Sequence, residues 1–193
     1  MKTYDFAYGR GRKEFSIDES LVIKEVRTEE FTPMSDIKQG VLDAIYNPIG
    51  CEPIDKIIKP GDTVAFICND PTRVANSYDF MLVLVNEFNK LGVKDEDMHI
   101  VFSLGTHRDM THEEMVEAVG EEVSSRLKMY NSTATKDEDF EYFGTTSRGT
   151  PVWINKHLCH VDHVILTGTI VHHYFSGYGG GRKAILPGCA ATS

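Results

Sequence analysis

The sequence predicts an α/β fold with a largely parallel sheet, flanking helices and a small antiparallel unit at the N-terminus. Three short apolar segments, at residues 63–68, 99–104 and 163–170, are typical of strands that are buried on both faces. Residues 75–91 lie between the first two segments and carry apolar side chains at helical spacing. Strands that alternate with helices in this order favour parallel pairing.

The N-terminal segment has the alternation expected of antiparallel strands. Residues 3–8 and 13–17 alternate apolar and polar side chains on either side of a Gly-Arg-Gly-Arg turn. Residues 21–26 are rich in β-branched side chains, and we expect a further strand there. These strands together would form the small antiparallel unit.

Two helix starts can be recognised from capping residues. Ser35 is a suitable N-cap for a helix over 36–46, and Thr111 with Glu114 has the pattern of a capping box that begins a helix ending at Gly120. The remaining expected elements are a short helix at 53–58, a continuation of the second helix over 121–129, and strands near 142–143 and 152–154.

Composition excludes several classes of function. The chain has 20 basic and 29 acidic residues, and its net charge of -9 argues against general nucleic-acid binding. The sequence has neither a signal peptide at its N-terminus nor an apolar segment of the ~20 residues that a membrane span needs. We therefore expect a cytoplasmic enzyme of small molecules, with one domain over residues 1–193 and reduced thiols at its four cysteines.

Polar side chains follow each of the three apolar segments. Asn-Asp-Pro-Thr-Arg occupies 69–73, Gly-Thr-His-Arg occupies 105–108, and a His-His pair followed by a glycine-rich segment occupies 172–188. The carboxyl ends of parallel strands meet at one edge of a sheet, where ligands bind in open α/β folds. The three clusters are therefore expected to form one site if their strands are neighbours.

The glycine-rich segment has the composition of an anion site. Main-chain N–H groups can approach a ligand closely at Gly177, Gly179, Gly180 and Gly181, and the cations Arg182 and Lys183 follow. A phosphate-bearing ligand fits this pattern. The segment is not a Walker A loop, because alanine follows the lysine where a magnesium-binding Ser or Thr is required. A mobile basic loop is the alternative interpretation.

Two histidines occupy matched positions after different strands. His107 and His173 are placed to face each other across a pocket and to act as an acid and base pair near neutral pH. At most one of His173 and the adjacent His172 is expected to reach that pocket, because neighbours in an extended segment face opposite sides.

Asp70, Thr72 and Arg73 combine a guanidinium with an orienting carboxylate, which suits a substrate carboxylate or a ribose phosphate. A surface ion pair at a strand end is the alternative. No metal site is predicted at His157, His160 and His163, because a strand beginning near the last of these histidines breaks their common helical face.

Taken together, these motifs resemble the family of nickel-pincer enzymes typified by lactate racemase, which interconvert stereoisomers of 2-hydroxy acids. Residues 173–188, HYFSGYGGGRKAILPG, are similar to that family's H-F-F-A-G-F-S-G-G-R-K-S-V-L-P-G. The segments with Asp-Pro-Thr-Arg at 70–73, Gly-Thr-His-Arg at 105–108, Thr-His-Glu-Glu at 111–114 and Asn-Pro-Ile-Gly at 47–50 also match.

The resemblance implies a set of site residues and a cofactor. Lys183 resembles the lysine that covalently holds a nickel-pincer nucleotide, pyridinium-3,5-bisthiocarboxylic acid mononucleotide with nickel. His107 and His173 resemble the two acid/base histidines, between which an α-hydride leaves the substrate and returns to its other face. The remaining residues that the resemblance places around the nucleotide and substrate are Gly179, Gly180, Gly181, Arg182, Asp70, Thr72 and Arg73. The implied partners are a 2-hydroxy acid and cofactor-maturation proteins; the sequence does not give the oligomeric state.

This chain also departs from the family pattern. The family's nickel-binding histidine and second domain lie beyond the residues present, so the resemblance implies the N-terminal, cofactor-tethering part of a longer two-domain enzyme. Such a part is expected to be inactive and without cofactor by itself. Val171 and His172 differ from the racemase pattern, so the substrate need not be lactate. The alternatives are a phosphate-binding hydrolase or transferase that uses Arg182 and Lys183, or a non-catalytic ligand-binding protein.

Overall fold

A computed structural model describes residues 1–27, 32–73 and 75–192. The chain divides into two compact units, Met1–Met34 and Ser35–Ser193. The first unit contains the antiparallel hairpin of β1 (Lys2–Tyr8) and β2 (Gly11–Ile17), as the alternation of side chains predicted. Its turn is made by Gly9, whose φ of 58° lies in the left-handed region that glycine tolerates best.

Aromatic rings lie together on one face of this hairpin. Phe15 stacks between its neighbours across the strand pair, with ring centroids 5.3 Å from Phe6 and 5.9 Å from Tyr4. The strand expected at 21–26 is wrong: a 3-10 helix spans Glu19–Leu21 and irregular backbone follows it. Asp18 caps that short helix through Ser20 N, which interrupts the extended conformation before the β-branched residues.

The second unit alternates strands with helices along most of its length. In chain order its elements are α1 (Ile37–Tyr46), α2 (Ile54–Ile57), β3 (Val64–Asn69), α3 (Ser77–Lys90), β4 (Met98–Gly105), α4 (His112–Val119), α5 (Glu121–Arg126), β5 (Lys128–Thr133), β6 (Phe140–Thr145), β7 (Pro151–Asn155), α6 (Lys156–Cys159), β8 (His163–Leu166), β9 (His172–His173) and β10 (Gly177–Tyr178).

Four strands of the described residues form the central sheet, in the order β5-β4-β3-β8, and all its pairs are parallel. Val64 of β3 pairs with Met98 on one side and with His163 on the other. The three strands predicted from apolar segments are therefore neighbours, with β3 in the middle. Two small antiparallel pairs, β6 with β7 and β9 with β10, complete the unit. The predicted α/β class is confirmed.

The sheet is covered on both faces, which explains why its strands are continuously apolar. Phe66 of β3 points into a core with the helices, where its ring meets Phe88 of α3 edge-on at a centroid distance of 5.1 Å. Ile67, the next residue, points to the other face and packs with residues that follow β6 and β8 in the chain. The buried residues of that second core are Ala65, Ile67, Val101, Ile154, Leu158, Ala184, Cys189 and Ala190.

Three element boundaries differ from the sequence prediction. Asp36 rather than Ser35 caps α1, because its carboxylate accepts a hydrogen bond from Gln39 N at 2.9 Å. The helix expected over 121–129 ends at Arg126, and the chain continues as edge strand β5 because β4 supplies its hydrogen-bonding partner. β8 ends at Leu166 because Gly168 adopts a φ of 138° where the chain turns past Asn69.

Among the described residues, no helix is long and apolar enough to cross a membrane. The four cysteines are free thiols: Cys51 is exposed, Cys159 is half-buried, and Cys68 and Cys189 are buried. Burial raises the pKa of Cys68 and of Cys189 to about 11. Thiolate, the reactive form, is therefore scarce at the two buried positions.

Removal of the α4 cap is expected to lower the free energy of unfolding. Thr111 Oγ1 accepts from Glu114 N at 3.3 Å, and the Glu114 carboxylate accepts from Thr111 N at 2.9 Å. Thr111→Ala should cost about 1 kcal/mol in urea denaturation, because it leaves a helix-end N–H without its partner. Thr135→Ala at an exposed position is the matched control and should change the value by less than about 0.5 kcal/mol. Equal effects of the two variants would contradict the capping role.

Thiol reactivity should follow burial. Iodoacetamide at about pH 8 is expected to modify Cys51 first, since thiolate attack requires access. Cys68 and Cys189 should react only after the chain unfolds, as intact mass and peptide mapping with and without urea would show. Rapid modification of Cys189 in the folded chain would contradict its placement in the core.

Candidate active site

The loops after β3, β4 and β8 meet at the carboxyl edge of the sheet, as the order of the strands requires. A cavity of about 410 Å³ lies there, within the usual size of a small-molecule site. Its lining comes from all three loops and consists of Asn69, Asp70, Thr72, Arg73, Ser103, Thr169, Val171, His172, His173, Gly179, Gly180, Lys183 and Ala184.

A second cavity of about 350 Å³ adjoins the first one. His107 lines the second cavity and His173 lines the first. Four side chains belong to both linings and so separate the two spaces, namely Asp70, Arg73, Ser103 and Lys183. The two histidines therefore line neighbouring cavities that share Lys183.

Asp70 is the most highly connected side chain of the site. Its carboxylate accepts hydrogen bonds from the backbone N–H of Thr72, at 2.8 Å, and from the Thr72 hydroxyl. The same oxygen lies 3.4 Å from Nδ1 of His107, and the other oxygen lies 3.9 Å from Nε of Arg73. Only 8% of the Asp70 side chain is exposed, whereas the side chains of His107 and Arg73 are both about half exposed. The carboxylate thus holds the guanidinium and the imidazole at the edge of the cavities.

His173 is held by the backbone of the turn that follows it. β9 pairs with β10, and in the tight turn between these strands the N–H groups of Phe175 and Ser176 both approach Nδ1 of His173 at 3.3 Å. The ring is half-buried, whereas the aromatic side chains of Tyr174 and Phe175 are exposed. The turn therefore fixes the direction of the histidine ring.

Lys183 lies on a short 3-10 helix, Gly181–Ala184, that is bonded at both ends. Its backbone N–H donates to Gly180 O at 3.2 Å, and its carbonyl accepts from Gly188 N at 3.0 Å. Ala184 is buried in the second core, and its carbonyl accepts from the Ser103 hydroxyl at 3.0 Å. The Lys183 side chain is half-buried, and the described part of the chain offers it no ion pair. A backbone fixed by the core therefore presents a lysine to both cavities.

Glycine is required at position 188 by close packing. A Cβ atom there would lie 2.0 Å from the Ser103 hydroxyl oxygen and 2.6 Å from the Ala184 carbonyl oxygen. The Gly188 carbonyl accepts from Gly105 N at 3.0 Å, at the end of β4. The lysine segment and the loop that carries His107 are thus joined at this glycine.

Most of the residues predicted from sequence meet at this edge. Asp70, Thr72, Arg73, His173, Gly179, Gly180 and Lys183 line the first cavity, and His107 lines the second. Gly181 and Arg182 line neither cavity, and both are exposed. His172 and His173 both line the first cavity, so the expectation that at most one of them reaches it is wrong.

Ser103 lines the site although the sequence did not single it out, and Asn69 was predicted only as a member of the cluster at 69–73. Ser103 lies near the carboxyl end of a largely apolar strand, and a polar residue at such a position is the signal that could have identified it. Arg108, the last residue of the Gly-Thr-His-Arg motif, has a different role: both its terminal nitrogens bond to the Glu114 carboxylate at the start of α4.

The three histidines spaced by three residues have separate surroundings. His157 stacks on Tyr130 at a centroid distance of 3.6 Å, His160 Nε2 lies 2.8 Å from Glu141, and His163 Nε2 lies 2.8 Å from Asp62. Within the ranges that the structure covers, no group of three or more His, Cys, Asp or Glu side chains is arranged to hold a metal ion.

The fold and site define an α/β ligand-binding domain whose site lies beyond the carboxyl edge of a parallel sheet. The family model described as the lactate racemase N-terminal domain matches residues 8–193. The chain therefore belongs to the lactate racemase N-terminal domain family. This confirms the family resemblance of the glycine-rich segment and its companion motifs.

Two curated relatives are both named lactate racemase. The protein of Lactiplantibacillus plantarum is 29% identical over 154 residues, which are 80% of this chain and 36% of that protein. The protein of Thermoanaerobacterium thermosaccharolyticum is 27% identical over 194 residues, which are 100% of this chain and 45% of that protein. The chain spans less than half the length of these relatives.

Solved structures share the fold. The lactate racemase apoprotein of Thermoanaerobacterium thermosaccharolyticum superposes with a TM-score of 0.83 at 27% identity, over 98% of this chain and 44% of that one. A Thermotoga maritima protein gives a TM-score of 0.62 at 24% identity, over 81% of this chain and 38% of that one, which shows similarity of fold alone.

A methyl group at position 188 is expected to disrupt the lysine segment. Gly188→Ala should lower the free energy of unfolding by about 1–3 kcal/mol, a typical cost of overpacking. The double variant Ser103→Ala/Gly188→Ala should not restore stability fully, because the Ala184 and Lys183 carbonyl oxygens still lie within 2.9 Å of the added atom. Urea denaturation measures both values. Gly11→Ala is the matched control, since its nearest neighbour would be 3.9 Å away; a Gly188→Ala chain as stable as this control would contradict the packing.

Proposed function

We propose that this chain is the cofactor-tethering, N-terminal part of a two-domain racemase or epimerase of 2-hydroxy acids. The observation that carries the proposal is Lys183, which lies between a cavity lined by His107 and a cavity lined by His173. Inversion at a carbon atom requires proton-handling groups on two sides of the substrate. The names of the relatives support the same class of activity.

The family implies a nickel-pincer nucleotide, and the residues present fit such a group. Lys183 is half-buried and has no ion pair in the described ranges, which leaves its amine available for a covalent bond. Gly179 and Gly180 line the cavity without side chains. Lys183 would hold the nucleotide, with Asp70, Thr72 and Arg73 around it. When bound, the group supplies an acceptor and donor for the hydride of the substrate α-carbon.

The chain's own residues would bind the substrate and handle its hydroxyl proton. The Arg73 guanidinium suits the carboxylate of a 2-hydroxy acid, and Asp70 restrains this guanidinium at 3.9 Å. His107 and His173 would take or return the proton of the hydroxyl oxygen from opposite sides. The relatives' name indicates lactate, but the substrate of this chain need not be lactate, because Val171 and His172 in the cavity lining depart from the racemase pattern.

A phosphate-binding hydrolase or transferase is less well supported by the site. That function would use Arg182 together with Lys183, but Arg182 is exposed and lines neither cavity. A non-catalytic ligand-binding protein would not need a lysine between two histidine-lined spaces. A cytoplasmic location, with maturation proteins that load the cofactor, belongs to the same proposal.

Intact mass tests the tether directly. The natural full-length protein, produced together with cofactor-maturation enzymes, should gain a nucleotide-sized mass at Lys183, together with nickel. Lys183→Arg keeps the positive charge but removes the primary amine, so the added mass should disappear. Lys128→Arg at an exposed position is the control and should retain it. A wild-type protein that gains no mass under these conditions would rule out the proposed function.

Measuring the rate of racemisation of 2-hydroxy acids then distinguishes a catalytic protein from one that only binds the cofactor. In the loaded enzyme, His107→Gln and His173→Gln should each lower kcat by roughly 10²–10⁴-fold while the added mass at Lys183 remains, because general acid–base catalysis contributes about this much. The control His160→Gln, at an exposed histidine paired with Glu141, should keep the wild-type rate. Undiminished activity of both site variants would contradict the roles of these histidines.

A further inference from the structure

The two site histidines present different hydrogen-bonding groups through Nδ1. A neutral imidazole carries one proton, and the partner of one ring nitrogen decides which nitrogen holds it. Nδ1 of His173 faces two donors, whereas Nδ1 of His107 faces an acceptor. The same nitrogen therefore has opposite surroundings in the two rings.

At His173 the surroundings exclude a proton on Nδ1. The backbone N–H groups of Phe175 and Ser176 are donors only, and both lie 3.3 Å from that nitrogen. Nδ1 must therefore accept, and the single proton of the neutral ring is left on Nε2. Two amides pointing at one nitrogen fix this state through the backbone of the turn.

At His107 the surroundings favour a proton on Nδ1. An ionised carboxylate is an acceptor only, and the nearest Asp70 oxygen is 3.4 Å from Nδ1. Thr72 donates its backbone N–H and its hydroxyl to the same oxygen, which fixes the carboxylate in place. With its proton on Nδ1, His107 keeps a lone pair on Nε2.

We propose that Asp70 and the amides of Phe175 and Ser176 hold the two histidines in opposite tautomers, which makes His107 the resting base and His173 a hydrogen-bond donor. Asp70 is then a positioning residue that acts through His107. The tautomers follow from the contacts alone, whereas their catalytic meaning rests on the proposed function.

The proton balance shows why the two histidines are not equivalent. His107 Nε2 would take the hydroxyl proton of a bound 2-hydroxy acid, and the cofactor that Lys183 would hold would supply the acceptor for the α-hydride, so that the loss of proton and hydride balances the oxidation of the alcohol to a ketone. The resulting imidazolium is stabilised by Asp70. His173 can donate a hydrogen bond from Nε2–H, but transfer of that proton would leave an imidazolate because Nδ1 carries none.

A proton therefore passes through His173 only after its Nδ1 separates from the two amides. The turn between β9 and β10 must open, or the ring must rotate, before this histidine becomes an acid or a base. By microscopic reversibility that local change belongs to racemisation in both directions, since His173 acts as the acid in one direction and as the base in the other. The turn at Phe175 and Ser176 thus determines when His173 takes part in proton transfer.

Long-range ¹H–¹⁵N correlation spectra of the ¹⁵N-histidine-labelled 193-residue chain test the assignment. At about pH 8, above the ordinary histidine pKa, the proton of His107 is expected on Nδ1 and that of His173 on Nε2. Signals are assigned with His107→Gln and His173→Gln. Free histidine prefers the proton on Nε2, so the state of His107 is the diagnostic one. Both rings in the same tautomer would overturn the inference.

Single substitutions test separately the effect of Asp70 on His107 and the effect of the turn amides on His173. Asp70→Asn should move the His107 proton toward Nε2 and leave His173 unchanged, while Thr72→Val, which keeps the carboxylate, should leave the proton of His107 on Nδ1. Ser176→Pro removes one amide donor and should affect His173 alone. A change at both histidines in any one folded variant would also overturn the inference.

These spectra need neither cofactor nor activity. If the tautomers are as assigned but Lys183 gains no mass in the loading experiment, the proposed function fails and the tautomer assignment stands. If the mass appears but both rings share one tautomer, only this inference fails.

Discussion

Burial of the second face of the sheet is the constraint on which the site depends. Ala65, Ile67 and Val101 leave that face apolar, and it is partly covered by Ala184 of the glycine-rich segment and by Cys189, which directly follows that segment. Burial of apolar surface is the main stabilising term in folding, so the same contact that completes the core also fixes the backbone of Lys183. Gly188 allows this contact because a side chain there would collide with Ser103.

Asp70 organises the polar half of the site in the same way. One nearly buried carboxylate restrains Arg73, faces His107 and is itself held by Thr72. A buried charge is tolerated only with several partners, so the Asp-Pro-Thr-Arg turn supplies two of them from its own residues. The third partner, His107, comes from the loop after β4, so one carboxylate joins the loops that follow two strands of the sheet.

Much of this architecture could be predicted from the sequence because buried parallel strands leave a strong signal. The segments at 63–68, 99–104 and 163–170 are mostly apolar, and their order along the chain predicted that His107, His173 and Asp70 lie at one edge. β5 could not be predicted, because the sequence Lys-Met-Tyr-Asn-Ser-Thr has no apolar run and its pairing is supplied by β4. Ser103 was missed for a related reason: its role depends on the Ala184 carbonyl, 81 residues away in the chain.

The attachment of Lys183 to a rigid turn also bears on how such a site can change its substrate. Under the proposed tether, occupancy of the cavity does not depend on the free concentration of the nucleotide, since a linked ligand has a very high effective concentration. The other residues that line the cavity then do not need to bind the nucleotide tightly. Positions such as Val171 and His172 can vary to suit another hydroxy acid without loss of the cofactor. A covalent bond at Lys183 would thereby allow the other lining residues to change during evolution while the cofactor stays bound.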